Sequence, residues 1–356
     1  MSGMGFWKLL FLILWMAVRC AGVSAESLYV HFLDVGQADA AILQCGDAVM
    51  MIDGGDSADS SLIYSYLTKT LNVQHIDYMI ASHPHADHIG GLSGALNACT
   101  VGQIFSPVSA YDSRQFISLQ KYAQKQHIGL TVPKAGESFA LGDAQVQFLS
   151  PARSYDEINN SSIVVRIVHG ENAFLFTGDA QREAEQDMIA SGYELASDVL
   201  KVGHHGSDTS SSALFLSGVA PDYAVISCGA DNAYGHPDDE VLGRLEDAGA
   251  QVFRTDLQGS ILCISDGSSL TFYTERTAGP ETTRRGTDGK AAEEDAQESC
   301  GASVESARYV GNRNSRKFHD PSCSSVSSMA EKNKAEFSSR EEAIGQGYTP
   351  CNRCSP

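Results

Sequence analysis

The chain has 356 residues, a formal net charge of −19 and 42% hydrophobic residues. Such a length exceeds what one growing core supports, so one large domain with a smaller appendage is expected, and the composition is that of a folded globular protein. The acidic balance repels polyanions at long range and so counts against tight nonspecific nucleic-acid binding, unless bound metals restore positive charge where a substrate lands.

Residues 1–25 stand apart: Lys8 precedes the apolar run Leu9–Val18, and Val23-Ser24-Ala25 places small residues where a signal peptidase reads. The stretch is short for a bilayer span, so it reads as a cleaved export signal, with a retained anchor as the lesser alternative. No later segment is apolar enough to cross a membrane. The mature protein is therefore expected to be secreted.

Residues 27–274 alternate β-rich runs with helical patterns. Strands are predicted over Leu28–Leu33, Ala40–Gln44, Ala48–Ile52, Tyr78–Ala81, Gln145–Leu149, Ile163–Val168, Ala173–Thr177, Ala224–Ser227 and Ser260–Ile264. Helices are predicted over Ser61–Leu71, Gly91–Asn97, Ser113–Gln126, Gln181–Ser191, Ser212–Val219 and Glu240–Ala248. Gly46-Asp47 and Gly170-Glu171-Asn172 punctuate hairpins. Early hairpins followed by strands separated by helices, twice over, imply an α+β fold of two mixed sheets packed together with helices outside.

The pattern stops over residues 275–307, which read as a flexible linker with four Lys and Arg against eight Asp and Glu. A second folded unit is expected over 308–356, with eight Lys and Arg against five Asp and Glu. Cys45, Cys99, Cys228 and Cys263 lie in or beside apolar runs, where buried free thiols are the ordinary state.

The most informative run is Ser82-His83-Pro84-His85-Ala86-Asp87-His88-Ile89-Gly90-Gly91, with three histidines and a carboxylate in six residues. In an extended segment His83 and His85 leave on one side and can share one ion. Asp87 and His88 follow where the chain turns helical, so they can serve a second. Imidazole with carboxylate suits Zn²⁺, and Mn²⁺ less selectively. Further ligand-type residues sit at the ends of apolar runs: Asp34 and Asp39, Asp53, Asp179, His204 and His205, and His236.

The ordered set Asp34-Val35-Gly36-Gln37, Ile52-Asp53-Gly54-Gly55, His83 to His88, Asn159-Asn160-Ser161-Ser162, Thr177-Gly178-Asp179, Lys201 to Ser207 and Tyr234-Gly235-His236-Pro237 resembles the metallo-β-lactamase superfamily. Within it, the match is to the hydrolase domain of the ComEC family of DNA-uptake proteins, over nearly all of residues 27–274. The resemblance implies an αββα sandwich with a two-metal site at one edge. It implies His83 and His85 on the first ion, Asp87 and His88 on the second, Asp179 bridging, and His236 as the late histidine of the second site. Asp53 takes the early position that orients the histidine loop. Asp34, Asp87, His204, His205 and Ser207 are candidates for catalytic work, and Asn160 and Lys201 for substrate contact. Most superfamily members carry another His between the first cluster and the bridging Asp, where this chain has Asn159-Asn160-Ser161; His127 and His169 lie in that interval and read as surface residues.

In the tail, His319-x3-Cys323 and Cys351-x2-Cys354 supply one His and three thiolates, a closed tetrahedral set for one structural zinc. A pair of disulfides is the alternative, weakened by the odd thiol count. The segment resembles the small metal-binding domain of Ada, and its basic residues suggest phosphate contact. The expected function is an exported metal-dependent hydrolase of phosphodiester bonds, an extracellular DNase above all, working through metal-activated hydroxide. Two alternatives stand beside it: a metallohydrolase of a lactone, ester, phosphocholine or β-lactam, and a catalytically impaired protein that binds nucleic acid or a surface. No protein partner follows from the sequence.

Overall fold

The computed structural model describes residues 26–276 and 281–283, and in the tail 309–313, 317–319, 323, 326, 329, 334–337, 343 and 348–350. The chain divides into two compact units between Thr287 and Asp288.

In the first unit, β1 (Leu28–Phe32), β2 (Ala40–Cys45), β3 (Ala48–Gly54), β4 (His75–Ile80), β5 (Thr100–Phe105) and β6 (Leu130–Thr131) belong to one sheet. A second sheet takes β7 (Ser138–Leu141), β8 (Ala144–Ser150), β9 (Val164–His169), β10 (Asn172–Phe176), β11 (Val199–Lys201), β12 (Tyr223–Ile226) and β13 (Gln251–Arg254). The chain then returns to the first sheet with β14 (Ile261–Ser265), β15 (Leu270–Thr274) and β16 (Glu281–Thr283), giving the order β16-β15-β14-β1-β2-β3-β4-β5-β6. The second sheet is ordered β13-β12-β11-β10-β9-β8-β7.

Three apolar layers follow from the strand pleat, which sends alternate side chains to opposite faces. Between the sheets pack Phe32, Phe148, Phe174, Phe176, Phe253 and Phe272, with Phe32 stacked on Phe176 at 5.6 Å and Phe253 on Phe272 at 4.5 Å. The outer face of the first sheet is covered by Ile63, Leu67, Leu92 and Phe116, and that of the second by Met188, Phe215, Leu216, Val241 and Leu245, all from helices. The result is the αββα sandwich. Cys45, Cys99, Cys228 and Cys263 are free and buried.

What positions a site is strand direction. β3, β4 and β5 run parallel, as do β10, β11, β12 and β13. Parallel neighbours end on the same edge, so the loops after β3, β4, β10 and β11 rise together there. The histidine loop is pressed onto this edge by glycines. A Cβ on Gly91 would run into the Gly54 carbonyl, and one on Gly94 into the Ser60 carbonyl.

Two expectations are corrected. Within the stretch read as a linker, Glu281–Thr283 pairs antiparallel with β15, and Arg276 reaches back to Asp34 at 2.5 Å, so the fold of the first unit continues past Thr274. His169 is buried rather than on the surface, its Nδ1 2.8 Å from Ser265 Oγ and its Nε2 2.8 Å from the Glu26 carbonyl, where it ties β9 to β14.

In the second unit β17 (Tyr309–Asn312), β18 (Lys317–His319), β19 (Lys334–Phe337) and β20 (Thr349–Pro350) form a sheet ordered β19-β17-β18-β20. Phe318, Phe337, Ala343 and Tyr348 make its small core. His319 and Cys323 are both buried; Cys351 and Cys354 lie outside the described residues, as do residues 1–25.

Gly91→Ala should destabilise the protein by about 1–3 kcal/mol, because the added methyl meets backbone that cannot yield. Gly243→Ala, in the helix Asp239–Asp247 with open space beside it, should instead stabilise by about 0.4–1 kcal/mol. Urea unfolding of both variants measures the contrast; equal effects would mean that the glycine contact at the histidine loop is not tight.

Candidate metal centre

The loop after β4 leaves the sheet extended at Ser82 and turns into the short helix Ala86–Ile89. That change of backbone separates the four ligand-type residues. His83 Nε2 and His85 Nδ1 lie 3.1 Å apart on one side. Asp87 Oδ2 and His88 Nε2 lie 3.9 Å apart on the other.

Asp179, on the turn after β10, stands between the two pairs and is 2% exposed. Its Oδ2 is 3.7 Å from His83 Nε2, and its Oδ1 is 3.2 Å from His88 Nε2. His204 and His205, on the turn after β11, complete the arrangement from opposite sides. His204 Nε2 is 3.7 Å from Asp179 Oδ2, while His205 Nε2 is 3.4 Å from Asp87 Oδ2 and 3.9 Å from Asp179 Oδ1. Consecutive side chains diverge this way because both histidines adopt left-handed backbone, with φ of 52° and 55°. Each such conformation costs a non-glycine residue on the order of 1–3 kcal/mol. Gly203 and Gly206 flank the pair, and a Cβ on Gly206 would meet Pro237.

Two overlapping donor sets result, His83 with His88 and Asp179, and Asp87 with His88 and His205, with His85 Nδ1 and His204 Nε2 standing beside the first. The other ring nitrogens of His88, His204 and His205 are engaged, which turns the Nε2 of His88 and of His205 toward the centre. His88 Nδ1 donates to Asp53 Oδ2 at 2.9 Å, His204 Nδ1 lies 2.9 Å from Thr209 Oγ1, and His205 Nδ1 donates to the Ser227 carbonyl at 3.0 Å. Asp179 Oδ1, His88 Nε2 and His205 Nε2 are buried without a hydrogen-bond partner. Buried polar atoms are rarely left so, and three of them converging is the arrangement a divalent cation satisfies.

The charges agree. Burial alone would raise the Asp179 carboxyl, but His88, His205 and His83 around it hold it well below the usual carboxylate range. Burial alone would lower His205, yet Asp179 and Asp39 push it up to about 10, and Asp179 with Asp53 drives His88 well above its ordinary value against the same penalty. The carboxylates thus draw positive charge into the cluster.

Several expected residues have other work. His236 is outside both sets: its Nδ1 lies 3.3 Å from Asp238 and its ring 6.0 Å from His204, on the cleft wall, because His205 already fills the place beside Asp87. Beside the segment Asn159–Ser161, His204 approaches Asp179 Oδ2 at 3.7 Å, with Asn159 Nδ2 3.4 Å from its Nε2. Asp34 is held by Arg276 and by the Gly36 amide rather than by the cluster. Asp53 accepts from the Ser82 amide and hydroxyl as well as His88, so it orients the histidine loop without facing the cleft. Ser207 turns back to Thr209 at 3.1 Å and supports the residue that holds His204.

Asn160 is buried, and its Oδ1 accepts from the Gln181 and Ala184 amides, capping the helix Arg182–Ser191. Lys201 is 4% exposed, donates to the Val202 carbonyl at 3.0 Å, and forms an ion pair with Asp39 Oδ2 at 2.8 Å. Asp39 in turn places Oδ1 3.2 Å from His205 Nδ1. Its role was not read from sequence; its position after Asp34 in a polar strand end was the available signal.

Together the sets open into a cleft of about 340 Å³ lined by Gln37, His85, Asp87, Asn159, Asp179, His204, His205, Tyr234 and His236.

The family profile of the metallo-beta-lactamase superfamily matches residues 33–230. The chain belongs to that superfamily. The profile for the metal binding domain of Ada matches residues 294–356. The chain is 30% identical to the competence protein ComA of Neisseria gonorrhoeae over 73% of its own length and 35% of that protein's. It is 29% identical to ComE operon protein 3 of Bacillus subtilis over 65% and 32%, respectively. It thus spans about a third of the length of the curated relatives it matches. Among solved structures it is similar to the metallo-beta-lactamase fold protein YhfI of Bacillus subtilis, at 15% identity, 64% and 95% coverage and a TM-score of 0.42. The superfamily fold binds divalent metals and the Ada-type domain binds zinc. No helix among the described residues is long and apolar enough to cross a membrane.

Lys201→Met should cost about 3–5 kcal/mol in equilibrium unfolding, since it strands the buried Asp39 carboxylate. A loss no greater than that of a surface lysine would show that the Lys201–Asp39 pair does not support the centre.

Proposed function

We propose that this superfamily hydrolase is an exported, metal-dependent phosphodiesterase that cleaves DNA outside the cytoplasm. The observation that carries the reading is the pair of donor sets around the buried Asp179 carboxylate, His83 with His88 and Asp179, and Asp87 with His88 and His205, at the floor of an open cleft. Two divalent ions, zinc or manganese, held there would supply Lewis acidity and lower the pKa of water; such a pair suits in-line displacement at phosphorus. One structural zinc on His319, Cys323, Cys351 and Cys354 would staple the small unit. Competence-named relatives support nucleic acid as the substrate class.

This chain's own residues do the rest. Asp53 and the Ser227 carbonyl fix the rings of His88 and His205 so that Nε2 of each faces the cleft. Asp39, anchored by Lys201, sets the charge behind His205. His236 stands on the cleft wall outside both sets, where its imidazole can give a proton to the leaving oxygen. Export rests on residues 1–25 of the sequence.

Metal analysis of the purified protein should find three ions per chain; Asp179→Ala should lose two, and Cys323→Ser one. The zinc- or manganese-loaded protein should cut DNA oligonucleotides, and Asp87→Ala should lower kcat/KM by at least about 100-fold, as loss of a group holding the reacting centre does. Turnover of lactones or β-lactams with no cleavage of any phosphodiester would overturn the reading.

A further inference from the structure

The cleft has a rim feature that the metal centre does not use. Tyr234 is 72% exposed, yet its ring is held. It stacks on His236 at 5.8 Å with 11° between planes, and His236 lies 6.0 Å from His204. The three rings step outward from the first donor set to solvent. The loop is fixed from below by Asn232, whose Oδ1 accepts from the amides of Tyr234 (3.2 Å) and His236 (3.0 Å). Asn232 Nδ2 donates to the carbonyls of Gly229 (2.9 Å) and His236 (2.5 Å). An exposed aromatic on a clamped loop is a preformed flat surface that loses little freedom when something stacks on it.

The electrostatics narrow what stacks there. No Lys or Arg lines the cleft, and the first 274 residues carry most of the −19 charge. A polyanion gripped by proteins in general is held by Lys and Arg along its backbone. Among the described residues none lines this cleft, so inside it the bases are what the protein can hold beyond the phosphate at the floor. Bases within a duplex have both faces covered by neighbours; an unpaired base offers one to an aromatic ring.

We infer that Tyr234, backed by His236, is a stacking subsite for one unpaired nucleobase beside the phosphate seated in the cleft, so that the substrate is single-stranded or locally unpaired nucleic acid. This rests on the phosphodiesterase reading above.

The test uses the full metal-loaded protein on a single-stranded oligonucleotide, the same sequence as a duplex, and a series with one abasic site moved along the strand. Tyr234→Ala should raise KM for the single strand roughly ten-fold, the scale of one base–aromatic stack, while Tyr234→Trp should keep it. One abasic position should penalise the wild type and leave Tyr234→Ala unaffected, a non-additivity that loop damage would not produce. Wild type should prefer the single strand. Cleavage of oligonucleotides with KM unchanged in Tyr234→Ala, or with duplex preferred, would overturn the subsite and leave the phosphodiesterase reading standing. No cleavage of any oligonucleotide by wild type would overturn both.

Discussion

One buried carboxylate governs the first unit. Asp179 sits almost without solvent at the end of β10, with imidazoles of His83 and His204 toward one oxygen and His88 and His205 toward the other. A lone ionised carboxylate in such a place is costly, and its two oxygens fix where compensating charge must lie. The helical turn after His85, the left-handed pair His204-His205 and the parallel strand ends all serve to bring nitrogen donors to those two points.

The same constraint explains why so many polar residues behind the cleft face inward. Each imidazole that offers one nitrogen to the cleft must secure the other, and Asp53, Thr209 and the Ser227 carbonyl do so. Asp39 adds negative charge beside His205 and then requires Lys201. A catalytic edge is thus bought with a chain of buried pairs reaching into β11, which ties the centre's geometry to sheet packing. The strain at His204 and His205 is tolerable because interlocked hydrogen bonds and the Gly206–Pro237 contact leave the loop no alternative.

Much of this was legible in the sequence, for physical reasons. Long apolar runs and glycine turns gave the hairpins, and the His83–His88 spacing implied two directions of ligation because extended and helical backbone aim side chains differently. Val199–Lys201 and Gln251–Arg254 escaped because strands of three and four residues in parallel sheet carry no clear alternation. His236 and Lys201 stand apart from their expected places for another reason. Whether a histidine joins a cluster or its wall depends on loop torsions that spacing does not encode, and whether a lysine points outward depends on a buried partner, here Asp39, distant in sequence. Asn160 misled because a side chain that caps a helix and one that binds substrate look alike in sequence.

The acidic surface was the strongest argument against nucleic acid, and the geometry changes its weight. Long-range repulsion acts over about a Debye length, on the order of 8–10 Å at physiological salt, and so slows encounter more than it weakens a contact made inside the cleft. A centre that holds its cations through buried carboxylates presents positive charge only at its floor. For a phosphodiester strand, affinity then concentrates on one phosphate and its neighbours instead of being spread along the backbone. That arrangement suits an enzyme that must release its product, because hydrolysis changes the group at the floor while few other contacts hold the strand.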